Sequence, residues 1–131
     1  MKLIDTSVLI EFFTGGEETV DRIDAFFREL ERQKEKLLLT EETVIEIVYY
    51  LEKILGWEKE VVADVLSTVM ADSLFKVESR DVLMKAVRIY SSSKLDFIDC
   101  LKIARASKRK INEVLSFRKI LEKGGIKVIR P

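Results

Sequence analysis

The sequence predicts an α/β protein built on a parallel sheet with helices on both faces. Three observations lead there. Short apolar runs of strand length, such as Leu37-Leu38-Leu39, recur between longer segments whose apolar residues keep helical spacing. The two kinds of segment alternate along the chain, which is the pattern of βαβ units. No hairpin turn signal joins two strand-like runs, so neighbouring strands are expected to be linked by crossovers and to run parallel.

The chain opens on Lys2-Leu3-Ile4, a strand that runs into Asp5. Val8, Leu9, Phe12 and Phe13 mark a short helix, stopped at Thr14-Gly15-Gly16. Over 17–35, Val20, Ile23, Phe26, Phe27 and Leu30 line one helix face, and Glu29, Arg32 and Glu35 form the wet one. Leu37–Leu39 is the second strand. Thr40 is placed to cap a helix over 41–55 whose stripe is Val44, Ile47, Val48, Leu51, Ile54 and Leu55. Gly56 breaks that helix, and another is expected over 58–71.

Leu74-Phe75-Lys76-Val77 reads as the third strand. Ser79 is expected to cap a helix reaching about Ser91, with Ser91-Ser92-Ser93 as a loop. A helix over 96–109 follows, then the fourth strand at Val114-Leu115-Ser116. Phe117 to Lys123 is a short helix closed by Gly124-Gly125, and Ile126-Lys127-Val128-Ile129 is the fifth strand. No repeat, linker or low-complexity stretch divides the chain, so residues 1–131 are expected to form a single domain.

Composition removes several functions. The 23 basic and 23 acidic side chains cancel, which argues against a surface that is basic everywhere but leaves room for a local basic patch. There is no His, so neither a His-ligated zinc site nor a His-based catalytic triad is available. Any metal would be held mainly by oxygen ligands, which points to Mg²⁺ or Mn²⁺. The single Cys100 cannot form an internal disulfide and suits a reducing compartment. Asp5 and Glu11 interrupt the only apolar N-terminal run, and no stretch is long and apolar enough to span a bilayer, so the expected setting is cytoplasmic, away from membranes.

The chemistry gathers at strand ends. Asp5 follows the first strand, Glu46 lies in the second turn of the helix after the second, Asp96 and Asp99 open the helix before the fourth, and Ser116 ends the fourth. In a parallel sheet these positions fall at or near the carboxyl-terminal rim, where open α/β sheets bind ligands. Converging carboxylates repel one another, and a divalent cation relieves the repulsion. Each acid also has a plainer reading. Asp5 or Thr6 is a helix N-cap, Glu46 shares a solvated face with Glu42 and Lys53, and Asp96 and Asp99 suit the positive end of a helix. Four such placements at one rim favour a site.

These stretches resemble the PIN domain family, especially its small single-domain nucleases similar to VapC toxins. Asp5-Thr6-Ser7-Val8-Leu9-Ile10 is similar to the opening motif, Val44-Ile45-Glu46-Ile47-Val48-Tyr49-Tyr50-Leu51 to the second, and Leu95-Asp96-Phe97-Ile98-Asp99-Cys100-Leu101-Lys102-Ile103-Ala104 to the third. The resemblance implies a three-layer α/β/α fold with a central five-stranded parallel sheet of order 3-2-1-4-5. It implies a metal-dependent endonuclease of single-stranded RNA, with Mg²⁺ or Mn²⁺ held by Asp5, Glu46 and Asp99. Thr6, Ser7 and Ser116 would be auxiliary hydroxyls. It also implies a homodimer and a small antitoxin partner; Phe12, Phe13, Phe26, Phe27, Tyr49 and Tyr50 exceed what a thin sheet needs for cover.

One departure stands out. Where the family often carries a fourth acid, this chain reads Ser116-Phe117-Arg118. Arg118 would weaken metal binding or meet a phosphate, and Asp96 could serve as the replacement carboxylate. The alternative function is therefore a catalytically weakened PIN-fold module that binds RNA or protein. Lys102, Arg105, Lys108, Arg109 and Lys110 crowd the end of the 96–109 helix, and Arg105, Lys108 and Arg109 are the expected RNA-binding residues, although cations at a helix C-terminus need no ligand to explain them. A receiver-type signalling domain fits less well, since Asp5 stands without an adjacent acid.

Overall fold

The computed structural model describes residues 1–131 and contains the expected strands and helices in the expected order. Strand β1 is Lys2–Leu3, followed by α1 (Thr6–Thr14) and α2 (Glu17–Arg32); β2 is Leu37–Leu39 and α3 is Glu41–Tyr49. Then come α4 (Lys59–Ala71), β3 (Phe75–Val77), α5 (Arg80–Ser92), α6 (Phe97–Lys108), β4 (Glu113–Leu115) and β5 (Lys127–Ile129). The chain divides into two compact units. The first comprises 1–56 and 68–78, the second 57–67 and 79–131.

In the first unit β1, β2 and β3 pair in that order and all run parallel, with Leu3 opposite Leu38 and Leu39 opposite Val77. Ile4 N–H donates to Leu38 O at 3.2 Å, which carries the ladder to the residue before Asp5. Leu37 and Leu39 are buried, as β2 is the central strand. Leu9 of α1, Leu30 of α2 and Val44, Ile47 and Val48 of α3 supply the helical part of this core. The rings of Phe12, Phe27 and Phe75 form a chain of tilted and edge-on contacts, with Phe12 5.3 Å from Phe27 and Phe27 5.8 Å from Phe75.

The second unit holds a two-stranded parallel sheet, β4 with β5, Val114 opposite Val128. Helices α5 and α6 pack through Val82, Leu83, Ala86, Val87 and Tyr90 on one side and Phe97, Cys100, Leu101 and Ala104 on the other. The Tyr90 and Phe97 rings meet edge-on at 5.6 Å. Lys59 caps this region from α4: its ammonium donates to the carbonyls of Ser93 and Leu95 and stands 4.4 Å from the Tyr90 ring centre.

The 3-2-1 and 4-5 parts of the expected strand order are present, each in its own sheet. A single five-stranded sheet is not what the hydrogen bonds draw, since no ladder pairs β1 with β4. β1 is only two residues long, which leaves it little edge to offer a second neighbour besides β2.

Several boundaries also differ. The 17–35 helix stops at Arg32 because Lys34 takes a positive φ of 58°. The 41–55 helix is α-helical only to Tyr49 and widens into a π turn over Tyr50–Ile54, before Gly56 at φ 73° ends it. Ser79 precedes α5 with φ 50° and makes no side-chain cap, so only its carbonyl enters the helix, accepting from Leu83 N–H. Ser91 and Ser92 belong to α5, their hydroxyls bonded back to carbonyls a turn earlier. The segment after β4 is a 3₁₀ turn, Lys119–Gly124.

Candidate active site

In the first unit the chain leaves β1 at Asp5 and turns at once into α1. Asp5 is the N-cap, and its Oδ2 accepts from Ser7 N–H at 3.0 Å and from the Ser7 hydroxyl at 2.5 Å. These two bonds hold the Asp5 carboxyl below its usual pKa, the hydroxyl contributing most. The capping reading of Asp5 is therefore realised. It does not exhaust the side chain, because an ionised carboxylate can accept about four hydrogen bonds.

Helix α3 starts one residue after β2, capped by Thr40 Oγ1, which accepts from Thr43 N–H at 3.3 Å. Because β1 and β2 are parallel neighbours, α1 and α3 start from the same edge of their sheet. Thr6 of α1 crosses to α3 and donates its hydroxyl to Glu46 Oε1 at 2.9 Å. Asp5 and Glu46 are thus each held by a hydroxyl from one of the two residues that follow Asp5, Ser7 and Thr6 respectively. Glu42, the competing acid on α3, is exposed and receives no such bond.

In the second unit Asp96 is the N-cap of α6, without a side-chain cap bond, and Asp99 lies in its first turn. Asp99 is buried, one of only two polar side chains that are. Arg118 closes it off. Nη1 donates to Oδ1 at 3.0 Å and Nη2 to Oδ2 at 2.8 Å, a two-pronged pair. The bond to Asp99 raises the Arg118 pKa further above its already high value. Ser116 sets up this contact, its Oγ accepting from Arg118 N–H at 2.9 Å and turning the chain after β4. Cys100, beside Asp99, is fully buried, and burial pushes its thiol up to about 11, so it packs as an inert apolar group.

Of the basic residues at the end of α6, Lys108 is paired with Asp81 of α5 at 2.7 Å. Arg105 and Arg109, with Lys102, Ile98, Leu101 and Ala106, line an open cleft of about 480 Å³ on α6. A second cleft of about 330 Å³ contains Asp99, Ser116 and Arg118. Lys102 lines both; the sequence placed it in the cationic run of this helix but not among the expected RNA-binding residues. Its signal was the i, i+4, i+7 stripe Ile98, Lys102, Arg105, hidden in a run crowded with cations.

The PIN domain model matches residues 2–124, and with them all three acidic motifs. The chain belongs to the PIN domain family. It is 44% identical over 131 residues to a VapC ribonuclease of Aquifex aeolicus (strain VF5), covering 100% of this chain and 97% of that protein. A solved toxin–antitoxin complex from Klebsiella pneumoniae matches 98% of this chain and 96% of its own at 22% identity, with a TM-score of 0.34.

Within their own units, Asp5 and Asp99 stand at the starts of α1 and α6, and Glu46 lies in the second turn of α3. Within neither unit do three or more Asp, Glu or Cys side chains gather closely enough to hold an ion. The first unit's acids suit a hard cation in kind, since both are oxygen donors left unsaturated by their hydroxyl partners. Asp99 does not, because both of its oxygens are already taken by the Arg118 guanidinium.

Proposed function

We propose that this PIN domain is an endoribonuclease acting on single-stranded RNA, the toxin of a toxin–antitoxin pair. The observation that carries the proposal is the full-length 44% identity to a protein described as a VapC ribonuclease. The two units act as one PIN-like domain over residues 1–131, with Asp5, Glu46 and Asp99 as the catalytic acids and Asp96 as a further carboxylate. The cofactor suited to this all-oxygen donor set is Mg²⁺ or Mn²⁺, which supplies activated water and neutralises charge on phosphate when bound. Thr6 and Ser7 fix the carboxylates of Glu46 and Asp5, Ser116 orients Arg118, and Arg105, Lys108 and Arg109 supply positive charge for the RNA backbone. A homodimer and a small antitoxin complete the proposed assembly.

A second reading is favoured by the Arg118–Asp99 pair: a PIN fold that holds RNA or protein with little turnover. One experiment separates the two. The purified chain is incubated with a labelled single-stranded RNA and Mn²⁺ or Mg²⁺, with and without excess chelator. Cleavage that needs the cation and disappears in Asp5→Asn protein supports the nuclease. Binding of the same RNA without cation-dependent cleavage supports the weakened module.

A further inference from the structure

The zero net charge of the chain conceals a division. The first unit carries 8 Lys and Arg against 15 Asp and Glu, and the second carries 15 against 8, so they stand at −7 and +7. The excess in the second unit has a focus. Ile98, Lys102, Arg105 and Arg109 follow the i, i+4, i+7, i+11 spacing of one helix stripe, and all four line the open cleft on α6. Lys102 and Arg109 are exposed and pair with no acid, whereas Lys108, off this stripe, is paired with Asp81. The attraction of a helix C-terminus accounts for a cation at 109 but not for Lys102, which sits in the second turn. The floor between the cations is apolar, formed by Ile98, Leu101 and Ala106. Ile98 is 44% exposed there, an isoleucine left uncovered among positive charges.

We propose that this face of α6 is the track along which single-stranded RNA leaves Asp99, with Lys102 as the residue that joins track to site. Lys102 and Ala106 line both the α6 cleft and the cleft holding Asp99, Ser116 and Arg118, so the two are continuous along the helix. Lys102 and Arg109 are about 10 Å apart along the axis, enough for a short run of sugar–phosphate. Phosphates meet the cations and a base lies on the apolar floor, the combination that single-strand binders use. An acidic peptide would satisfy the cations equally, but the proposed nuclease activity of the same site, on which this inference rests, favours RNA.

The test uses a fluorescein-labelled oligouridylate and the full chain in excess chelator, so that binding is read by anisotropy without cleavage. Lys102→Ala/Arg109→Ala is compared with Lys123→Ala/Lys127→Ala, which removes the same charge from elsewhere in the second unit. The track variant should bind about tenfold more weakly, and its salt slope should fall by about 1.4, two contacts at 0.7 each. The comparison variant should change less than about twofold. Ile98→Ser should weaken RNA binding with the salt slope unchanged. Equal losses in the two double variants would reduce the effect to bulk charge and overturn the track, as would wild-type affinity in the track variant. An oligoglutamate peptide that binds more tightly than the RNA would assign the face to an acidic protein instead. Failure of the nuclease reading looks different: no cation-dependent cleavage by the wild-type chain, with the binding differences intact.

Discussion

Arg118 grips Asp99 with both prongs of its guanidinium, at 3.0 and 2.8 Å, and leaves neither carboxylate oxygen free for another cation. The arginine is more than half exposed while the acid is almost buried, so the pair opens by movement of the arginine alone. A guanidinium stays charged at any working pH, and only a competing anion or cation can release Asp99. If the proposed metal site includes Asp99, replacing Arg118 by Asp, the family's usual acid, should tighten Mn²⁺ binding by about tenfold and raise RNA cleavage, since a unit positive charge is removed and a carboxylate added. Arg118→Ala should tighten Mn²⁺ less. Calorimetric titration of the three proteins checks this. Equal affinities would mean that Arg118 swings clear without cost. Tighter metal with slower cleavage in both variants would mean that the released guanidinium binds phosphate.

The hydroxyl that reaches Glu46 from Thr6 picks out one acid on α3. Glu46→Gln should lower cleavage by about a hundredfold or more, and Glu42→Gln by less than about twofold. Thr6→Val keeps the side chain's shape and removes the bond, so it should cost about two- to tenfold in turnover with little change in RNA affinity. Single-turnover rates on a labelled RNA separate these cases. A damaging Glu42→Gln beside a silent Glu46→Gln would shift the motif by one helical turn.

How far the site was legible follows from what kind of signal each residue gives. The strand and helix order could be read because apolar spacing is local, and Leu37–Leu39 or Val44-Ile47-Val48-Leu51 look the same in isolation as in the fold. Asp5 and Glu46 drew notice because they come soon after a strand, and Asp96 and Asp99 because they open the helix that leads into β4. Three features could not. The Thr6–Glu46 bond joins residues forty positions apart. The π turn at Tyr50–Ile54 has an apolar pattern that continues the helix, so nothing in the spacing marks it. Ser79 has the right side chain for a cap, yet its left-handed backbone keeps the hydroxyl from the helix. The sequence named Arg118 as a problem but not its partner; only the turn set by Ser116 returns it to Asp99.

Lys108 and Asp81 give the second unit an acid-sensitive link between α6 and α5. The Lys108 hydrogen bond, aided by Val82 N–H, holds the Asp81 carboxyl below its ordinary value of 3.8. A depressed folded-state pKa means that the ionised acid stabilises the folded protein above the unfolded value, and that this stability is lost as pH falls through the lowered folded one. Urea midpoints should therefore decline from about pH 5 towards pH 2, and Asp81→Asn should flatten part of that decline while lowering the midpoint near neutrality. The effect should be small, as both side chains are mostly exposed and screened. An unchanged acid limb in Asp81→Asn would show that the pair does not persist in solution.

The end of α3 and its π turn leave Tyr49, Tyr50, Ile54 and Leu55 uncovered, between 37% and 60% exposed. Four large apolar side chains within seven positions form more than the scattered exposure a monomer tolerates. In contrast, Phe27 from the aromatic group on the first helices is buried in the core, and Phe12, half-buried, packs against it. Of the six aromatic residues expected at a dimer contact, Phe26, Tyr49 and Tyr50 are the exposed ones, and a dimer formed through the π turn has a measurable signature. Light scattering should give twice the chain mass at about 100 μM, well above the dissociation constant of a standard interface. Tyr49→Glu/Ile54→Glu should shift the mass to that of one chain without lowering the melting temperature of the monomer, because neither side chain belongs to the core. Phe13→Glu, on half-buried α1, should lower the melting temperature and leave the association in place. A variant pair with the opposite behaviour would move the interface to α1 and leave the exposed π turn for a different partner, the antitoxin among them.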